Sequence, residues 1–276
     1  MTGAKEQRDP RRLRGGWADF QRHRFSEPGP DLDAFVARYW AVTWDLRGQP
    51  PYRQLIVPYP NVHLTFVNGV ARVHGVARGH VFRQLKGLGR VFGVAFRPGC
   101  FRPFLGSPVS GLTDRSVPAD EVLGPDVPES AMATSTDEET MRQVVEQFLR
   151  ARLPEQDPVA EEVAGIVARV ADEPDLTRVS ELAETLGTSV RRLQRLFAEY
   201  VGVGPKWVIR RYRLHEVTER MAAGGRIDWA RLAFDLGYAD QAHLSRDFTA
   251  VVGESPTAYA MRYPEPIEDQ PGGMRS

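Results

Sequence analysis

A repeated pattern between residues 182 and 248 constrains this chain more than any other feature. The run Leu-Ala-x-x-Leu-Gly occurs at 182–187 and again at 232–237, an offset of 50 residues. The run Leu-x-Arg-x-Phe occurs at 193–197 and 244–248, an offset of 51 residues, so the second copy has one extra residue in its turn. Each copy predicts a short amphipathic helix that ends at a glycine able to adopt positive φ, followed by a second helix. Two helix-turn-helix motifs are therefore expected.

The second helix of each copy has polar side chains opposite its apolar face. These polar residues are Arg191, Arg192, Gln194 and Arg195 in the first copy and Gln241, His243 and Arg246 in the second. Arginine pairs with guanine and glutamine with adenine in the major groove, so both faces suit the reading of DNA. An arginine-rich face on a single helix is as often a solvated surface as a DNA-binding surface. The matched polar positions in two copies favour DNA binding.

The segment between the copies predicts one long helix. Pro205 suits the first turn of a helix, and neither proline nor glycine follows until Gly224. At about 1.5 Å per residue, a helix over 206–223 is roughly 27 Å long, which is close to the ~34 Å between successive major grooves on one face of DNA. Such a helix would set the spacing of the two motifs.

Basic residues concentrate around this connector. Between Gly187 and Arg213 there are seven Lys or Arg residues and one acid, Glu199, whereas the net charge of the whole chain is zero. This local excess predicts a phosphate-binding patch. Its members are Arg191, Arg192, Arg195, Lys206, Arg210, Arg211 and Arg213.

At this point the sequence resembles the arabinose-regulator (AraC/XylS) type of transcription factor over about residues 157–263. The resemblance rests on the repeat, on the run 237–248 (GYADQAHLSRDF) and on the run 252–259 (VGESPTAY). It implies an all-α DNA-binding domain with two recognition helices and double-stranded DNA as the partner. The residues that it places at DNA are Ser189, Arg191, Arg192, Gln194, Arg195, Lys206, Arg210, Gln241, His243 and Arg246. Two positions depart from the family pattern, Ala242 in place of a polar residue and Tyr238 in place of phenylalanine.

Composition indicates a two-domain globular protein. The 276 residues are 42% hydrophobic and 26% charged, and no apolar run reaches the ~18 residues of a membrane span. The N-terminus lacks the apolar segment of a signal peptide, so we expect a cytoplasmic protein without a membrane partner. Cys100 is the only cysteine, which excludes an internal disulfide and a multi-cysteine zinc site.

The N-terminal half has the pattern of a β-rich domain. A helix is predicted over 31–39, because Leu32, Phe35, Val36 and Tyr39 share one helical face. Short β-rich runs then follow between glycines and prolines, and Asn68-Gly69 is a hairpin signal. The predicted strands lie at 42–44, 54–57, 62–67, 71–73 and 91–96 and suggest a barrel or sandwich.

A second resemblance covers about residues 20–125, carried by Tyr39-Trp40 and the runs 93–99 and 112–118. It is similar to a cupin-like domain often found ahead of AraC-type DNA-binding regions, and it implies a sensory or dimerising role. The predicted fold class is thus α+β, with disordered ends at 1–16 and 264–276. The β-rich domain with a linker helix spans 17–153, and the DNA-binding domain spans 154–263. The apolar stripe of that linker helix, which Thr136 or Asp137 can cap, could pack within the chain or against a second subunit.

Several functional alternatives stay open on the sequence alone. His63, His74 and His80 lie in the strand region, but no carboxylate is spaced to complete a metal site, so neither metal, cofactor nor catalytic residues are predicted. Cys100 is expected to be a buried structural thiol. The aromatic residues of the β-rich domain could line a pocket for a small-molecule effector or simply fill the interior. RNA polymerase and a second copy of the chain are further possible partners. A β-barrel enzyme and a non-sensing interaction module remain the alternatives.

Overall fold

The computed structural model describes residues 20–173, 175–223 and 227–261. The predicted disordered ends, 1–16 and 264–276, lie outside the described residues. Within them, the N-terminal half is built mainly of strands and the C-terminal half of helices, which confirms the predicted fold class. Among the described residues, no helix is long and apolar enough to cross a membrane.

The described residues include eight antiparallel strands in two sheets. The larger sheet has the order β1-β2-β7-β4-β5-β8, and β3 pairs with β6 in the smaller one. Asn68 and Gly69 adopt φ of 51° and 90° between β4 and β5, which confirms the predicted hairpin. The strands are β1 (Gln21–Ser26), β2 (Val36–Leu46), β3 (Tyr52–Ile56), β4 (His63–Val67), β5 (Val70–His74), β6 (Val81–Leu85), β7 (Gly87–Phe96) and β8 (Ser116–Pro118).

The predicted helix over residues 31–39 is wrong. One helical turn forms, in which the Val36 amide donates to the Leu32 carbonyl at 2.8 Å, and β2 begins at Val36. A register irregularity between Val36 and Arg38 then lets β2 bury Tyr39. A turn followed by an irregular strand therefore buries the same four side chains as a helix would, which is why the apolar spacing misled the prediction.

The larger sheet has two different faces. Its helix-covered face packs Phe66, Val94 and Phe96 against α4 and the short helices. Its inner face, which faces β3 and β6, contains Trp40, Val42, Trp44 and Val91. The helices of this half are α1 (Arg102–Leu105), α2 (Asp120–Leu123), α3 (Glu129–Thr134) and α4 (Glu138–Arg150), with a 3-10 turn at Val109–Leu112.

Helix α4 packs within the chain. Asp137 caps it by accepting from the Thr140 amide at 2.8 Å, as the sequence predicts. Met141, Val145 and Leu149 of the predicted stripe are buried in the core of the β-rich domain. The apolar stripe of α4 therefore packs within the chain, which was one of the two alternatives that the sequence left open.

In the C-terminal half, the residues that the structure describes form seven helices around two cores. The first half of α8 contributes Val208 and Ile209 to one core, and its second half contributes Leu214 and Val217 to the other. The helices are α5 (Pro158–Asp172), α6 (Val179–Thr185), α7 (Val190–Tyr200), α8 (Pro205–Ala223), α9 (Trp229–Asp235), α10 (Gln241–Val252) and α11 (Pro256–Ala260). The predicted connector helix is thus α8, which belongs to both cores.

Candidate nucleic-acid interface

The first helix-turn-helix unit consists of α6 and α7. Gly187 has φ of +60° in the turn, and the Ser189 hydroxyl caps α7 by accepting from the Arg192 amide at 3.2 Å. Leu193 and Phe197 are fully buried against α5 and α8, which fixes the rotation of α7. The opposite side of α7 is exposed and presents Arg191, Arg192, Gln194 and Arg195.

The second unit consists of α9 and α10 and has the same arrangement of turn glycine, capping residue and buried apolar residues. Gly237 has φ of +70°, and the Asp240 carboxylate caps α10 by accepting from the His243 amide at 2.6 Å. Leu244 and Phe248 are buried in the second core. The side chains of Gln241, His243 and Arg246 are exposed on the other side of α10.

The two capping residues define which positions of α7 and α10 are equivalent. Leu193 and Leu244 each lie four residues after the cap, and both are buried. On this basis Arg195 matches Arg246, whereas the predicted Gln241 and His243 match Val190 and Arg192. The counterparts of Arg191 and Gln194 are Ala242 and Ser245. Ser245, which the sequence analysis does not place at DNA, therefore occupies the position equivalent to that of Gln194.

Three arginines of the predicted basic patch make internal contacts instead of facing solvent. Arg210 pairs with Asp247 at 2.9 Å. Arg211 is only 4% exposed, donates to the Pro58 carbonyl and lies over the Tyr59 ring. The predicted patch therefore overstates the surface charge. Its exposed members are Arg191, Arg192, Arg195 and Lys206, of which Arg192 also lies 3.6 Å from Glu162.

Arg213, the third of these arginines, joins the two units. From α8 its guanidinium donates to the Leu236 carbonyl at 2.7 Å and to the Thr177 carbonyl at 3.0 Å. Leu236 ends α9, and Thr177 precedes α6, so one side chain ties the end of one motif to the start of the other. Helix α8 has 19 residues and spans about 28 Å at about 1.5 Å per residue. The relative placement of the units thus depends on α8.

The β-rich domain contacts both units. Arg102 pairs with Glu199 at 2.7 Å, and Thr113 donates to the Gly202 carbonyl at 2.6 Å, both beside the first unit. Beside the second unit, the Tyr59 hydroxyl lies 2.9 Å from Nδ1 of His215, in the half of α8 that packs in the second core. Val76 and Leu55 of the β-rich domain enter the first and second helical cores. The two halves therefore share apolar as well as polar contacts.

Among the described residues, the histidines and Cys100 do not come together as a group that could hold a metal ion. His63 and His74 lie opposite each other on β4 and β5, but His80 packs on Phe82 instead. In the part of the chain that the structure describes, no group of three or more His, Cys, Asp or Glu could hold a metal ion. Burial raises the pKa of the Cys100 thiol to about 11, so Cys100 is a protonated core residue at neutral pH.

Solved structures with a similar arrangement include ToxT from Vibrio cholerae and the C-terminal domain of AraT, a response regulator from Geobacillus stearothermophilus. An apo ToxT variant from strain SCE256 is 13% identical, with a TM-score of 0.43, over 82% of this chain and 98% of that one. ToxT from strain O395 is 12% identical, with a TM-score of 0.41, over 77% and 93%. The AraT domain is 21% identical, with a TM-score of 0.34, over 40% and 94%. None of the curated proteins compared with the chain matches it.

Two family models match separate parts of the chain. Residues 24–118 match a family described only as a domain of unknown function. Residues 182–262 match the model of a helix-turn-helix domain and include both capped units and α8 between them. The chain therefore carries an AraC-type helix-turn-helix domain at residues 182–262 and is a DNA-binding transcription regulator.

Proposed function

We propose that α7 and α10 enter successive major grooves on one face of double-stranded DNA and read its sequence. The observation that carries this proposal is the equivalence of Arg195 and Arg246, which are both exposed and lie six residues after their capping residues. Arginine is the side chain best suited to bidentate pairing with guanine in the major groove. One rigid helix between the units would hold the two arginines at a fixed separation.

Specificity is divided unequally between the two helices. Around Arg195, α7 also presents Arg191 and Gln194, so it has three side chains suited to base edges. The matching positions of α10 are Ala242 and Ser245, which offer a methyl group and a single hydroxyl. Gln241 and His243, exposed at the start of α10, and Lys206 are suited to phosphate or flanking contacts. Helix α7 is thus the principal reader, and α10 reads mainly through Arg246.

The β-rich domain regulates this binding by its docking on both units. Since it contacts Glu199 of α7 and His215 of α8, a ligand that binds one docked arrangement better than another would change the placement of the reading helices. A small-molecule effector acting in this way is part of the proposal. Homodimerisation and contact with RNA polymerase stay predictions.

Selection of binding sites from random DNA tests the proposal. The wild-type protein is expected to select two half-sites about one helical turn apart. Arg195→Ala weakens specific binding by ~1–3 kcal/mol and removes the preference at one or two base pairs of the first half-site. Arg246→Ala does so in the other half-site. Arg47→Ala, which removes one exposed charge from the β-rich domain, is the matched control and leaves the selected sequence unchanged.

Two outcomes contradict the proposal. The selected sequence could be identical for wild type and Arg195→Ala, in which case α7 does not read bases. Arg195→Ala and Arg246→Ala could instead relax the same base pairs, in which case the two helices do not occupy separate grooves.

A further inference from the structure

An acidic residue lies on the helix that is proposed to read the second half-site. Asp247 follows Arg246 in α10, and His243 lies one helical turn before it on the same flank of the helix. The Asp247 side chain is 24% exposed. DNA carries one negative charge for every ~1.7 Å of helix axis, so a carboxylate on this flank would by itself repel DNA. The residue that pairs with Asp247 explains why an acid is present here.

The partner of Asp247 is Arg210 of α8. The Nε of Arg210 lies 2.9 Å from Oδ2 of Asp247, and its Nη2 donates to the Asp247 backbone carbonyl at 3.2 Å. The guanidinium is thus held at two points of a single residue. Since 29% of the Arg210 side chain is exposed, the ion pair lies at the surface of the domain and within reach of a ligand that approaches from solvent.

Arg210 belongs to a basic side of α8. This side carries Lys206, Arg210 and Arg213, which are spaced at i, i+4 and i+7. Lys206 is exposed, whereas Arg213 donates to two backbone carbonyls of the second and first units. Arg210 lies between them, and without Asp247 its guanidinium would be available to a DNA phosphate.

The first unit shows that packing does not require an acid at this position. Asp247 lies seven residues after its capping residue, and the equivalent residue of α7 is Leu196. Leu196 is 9% exposed and packs in the first helical core. An apolar side chain therefore suits the same position of the same arrangement, and a carboxylate is not needed there to pack the second helix.

We propose that Asp247 keeps Arg210 away from the DNA phosphates and so limits how strongly the second unit binds DNA of any sequence. Arg210, which the family resemblance places at DNA, contacts Asp247 instead. Binding by α10 then depends mainly on the base pairs that Arg246 meets. This consequence for specificity rests on the proposed reading by α10, whereas the withholding of Arg210 requires only that the second unit approach DNA.

The salt dependence of binding to a duplex of random sequence tests this role, because it measures how many phosphates the protein contacts. Each additional contact steepens the dependence of log K on log salt concentration by about 0.9. Asp247→Asn in the full chain has the same shape but no charge, so it should release Arg210 to a phosphate. Between about 50 and 200 mM salt, its affinity should fall about three- to fourfold more than that of wild type.

Asp235→Asn is the matched control, because it removes the same charge from α9 of the second unit but releases no arginine. Asp235 lies 3.7 Å from Arg220, which stays paired with Glu216 at 2.8 Å. The salt dependence of this variant should equal that of wild type. A difference between the two asparagine variants therefore reports on Arg210 and not on the net charge of the chain.

Two further variants complete the test. The double variant Arg210→Met/Asp247→Asn should lose the added salt dependence, because no guanidinium is left at this position. Asp247→Leu copies Leu196 of the first unit and removes the carboxylate oxygens altogether, so it should steepen the salt dependence at least as much as Asp247→Asn. It keeps the test decisive if Asp247→Asn fails to fold. The sequence selected at the second half-site should be the same for Asp247→Asn and wild type, because Arg246 is unchanged.

Three results overturn this role of Asp247. The salt dependence of Asp247→Asn and Asp247→Leu could equal that of Asp235→Asn. The double variant could fall below wild type by about one phosphate contact, in which case Arg210 already binds a phosphate in the wild-type protein. Asp247→Asn could change the sequence selected at the second half-site, in which case Asp247 acts by orienting α10. If wild type selects no sequence but the two asparagine variants still differ in salt dependence, the proposed reading fails and the role of Asp247 stands.

Discussion

The two helix-turn-helix units have the same frame but different chemistry at the positions that would read DNA. Both have a positive-φ glycine in the turn, a capping side chain and two buried residues four and eight positions later. On that frame, α7 presents Arg191, Gln194 and Arg195, whereas α10 presents Ala242, Ser245 and Arg246. The repeat therefore fixes where side chains point, and the individual residues decide what each unit can recognise.

The units also differ in how the β-rich domain holds them. Beside the first unit the side-chain pair is an ion pair between Arg102 and Glu199, both about 30% exposed. Beside the second unit it is a contact between Tyr59 and His215 of α8. Burial lowers the pKa of His215 to about 4, so the folded chain excludes a proton that the unfolded chain takes up below about pH 6.5. The second contact is therefore the more sensitive to conditions.

The largest effect is expected from Arg213→Pro in α8. Proline removes a helical hydrogen bond and clashes with the preceding turn, at about 3 kcal/mol or more, and the bonds from Arg213 to Leu236 and Thr177 are lost as well. The two units should then lose their fixed spacing. Chemical denaturation measures the stability, and footprinting measures whether the two half-sites are still protected together.

Arg213→Met is the control for this change, since it removes the same two bonds but preserves the helix. Its half-sites should remain coupled. Equally strong, contiguous footprints for Arg213→Pro would show that α8 does not set the spacing.

The next effect is a loss of stability at low pH that is confined to the second unit. Burial, with the charges of Arg211 and Arg38, lowers the pKa of His215 to about 4; Glu219 lies 3.3 Å away but is more than half exposed and therefore screened. Below about pH 6.5 the unfolded chain takes up a proton that the folded chain excludes, so stability falls as the pH drops from about 6.5 to 4, by about 3 kcal/mol at most.

Hydrogen exchange at pH 7 and pH 5 measures this difference. Amides of α8–α10 should lose protection more than those of α5–α7. His215→Gln, which keeps a polar side chain but does not titrate, should reduce that difference. His74 titrates similarly and remains in both proteins, so it cancels in the comparison. Equal loss of protection in both units would show that the Tyr59–His215 contact is no more sensitive to pH than the Arg102–Glu199 contact.

The smallest expected effect is a difference in stability between alanine substitutions at the two turn glycines, Gly187 and Gly237. Gly187→Ala should cost ~1–2 kcal/mol, because φ is +60° but a Cβ would meet no atom within 4 Å. Gly237→Ala carries the same strain, and its Cβ would also lie 2.9 Å from Cγ2 of Thr177. We expect an additional cost of about 1 kcal/mol. Thr177→Ser removes that methyl group and leaves only the Cβ of residue 177 at 3.1 Å, so it should recover most of the difference from Gly187→Ala in thermal unfolding. Failure of that rescue would assign the difference to another contact.

Much of the helical half could be predicted because its signals are local. Pro205, the glycines at 187 and 237 and the apolar spacing of α7 and α10 each determine structure within a few residues. The prediction over 31–39 failed because an apolar spacing of three and four residues fits both a helix and a turn followed by an irregular strand. Choosing between them requires the partner strand β7, in which Val36 and Tyr39 pair with Phe96 and Val94, distant in the chain.

The sequence by itself determined the two units, the long helix between them and the exposed arginines at equivalent positions. Tertiary structure decided which charges are available. Arg210, Arg211 and Arg213 are indistinguishable from Arg195 in a count of basic residues, yet packing on α8 directs them to Asp247, Pro58 and Leu236. The physical reason is that burial and charge pairing depend on residues distant in the chain, whereas helical periodicity, caps and turns depend on neighbours.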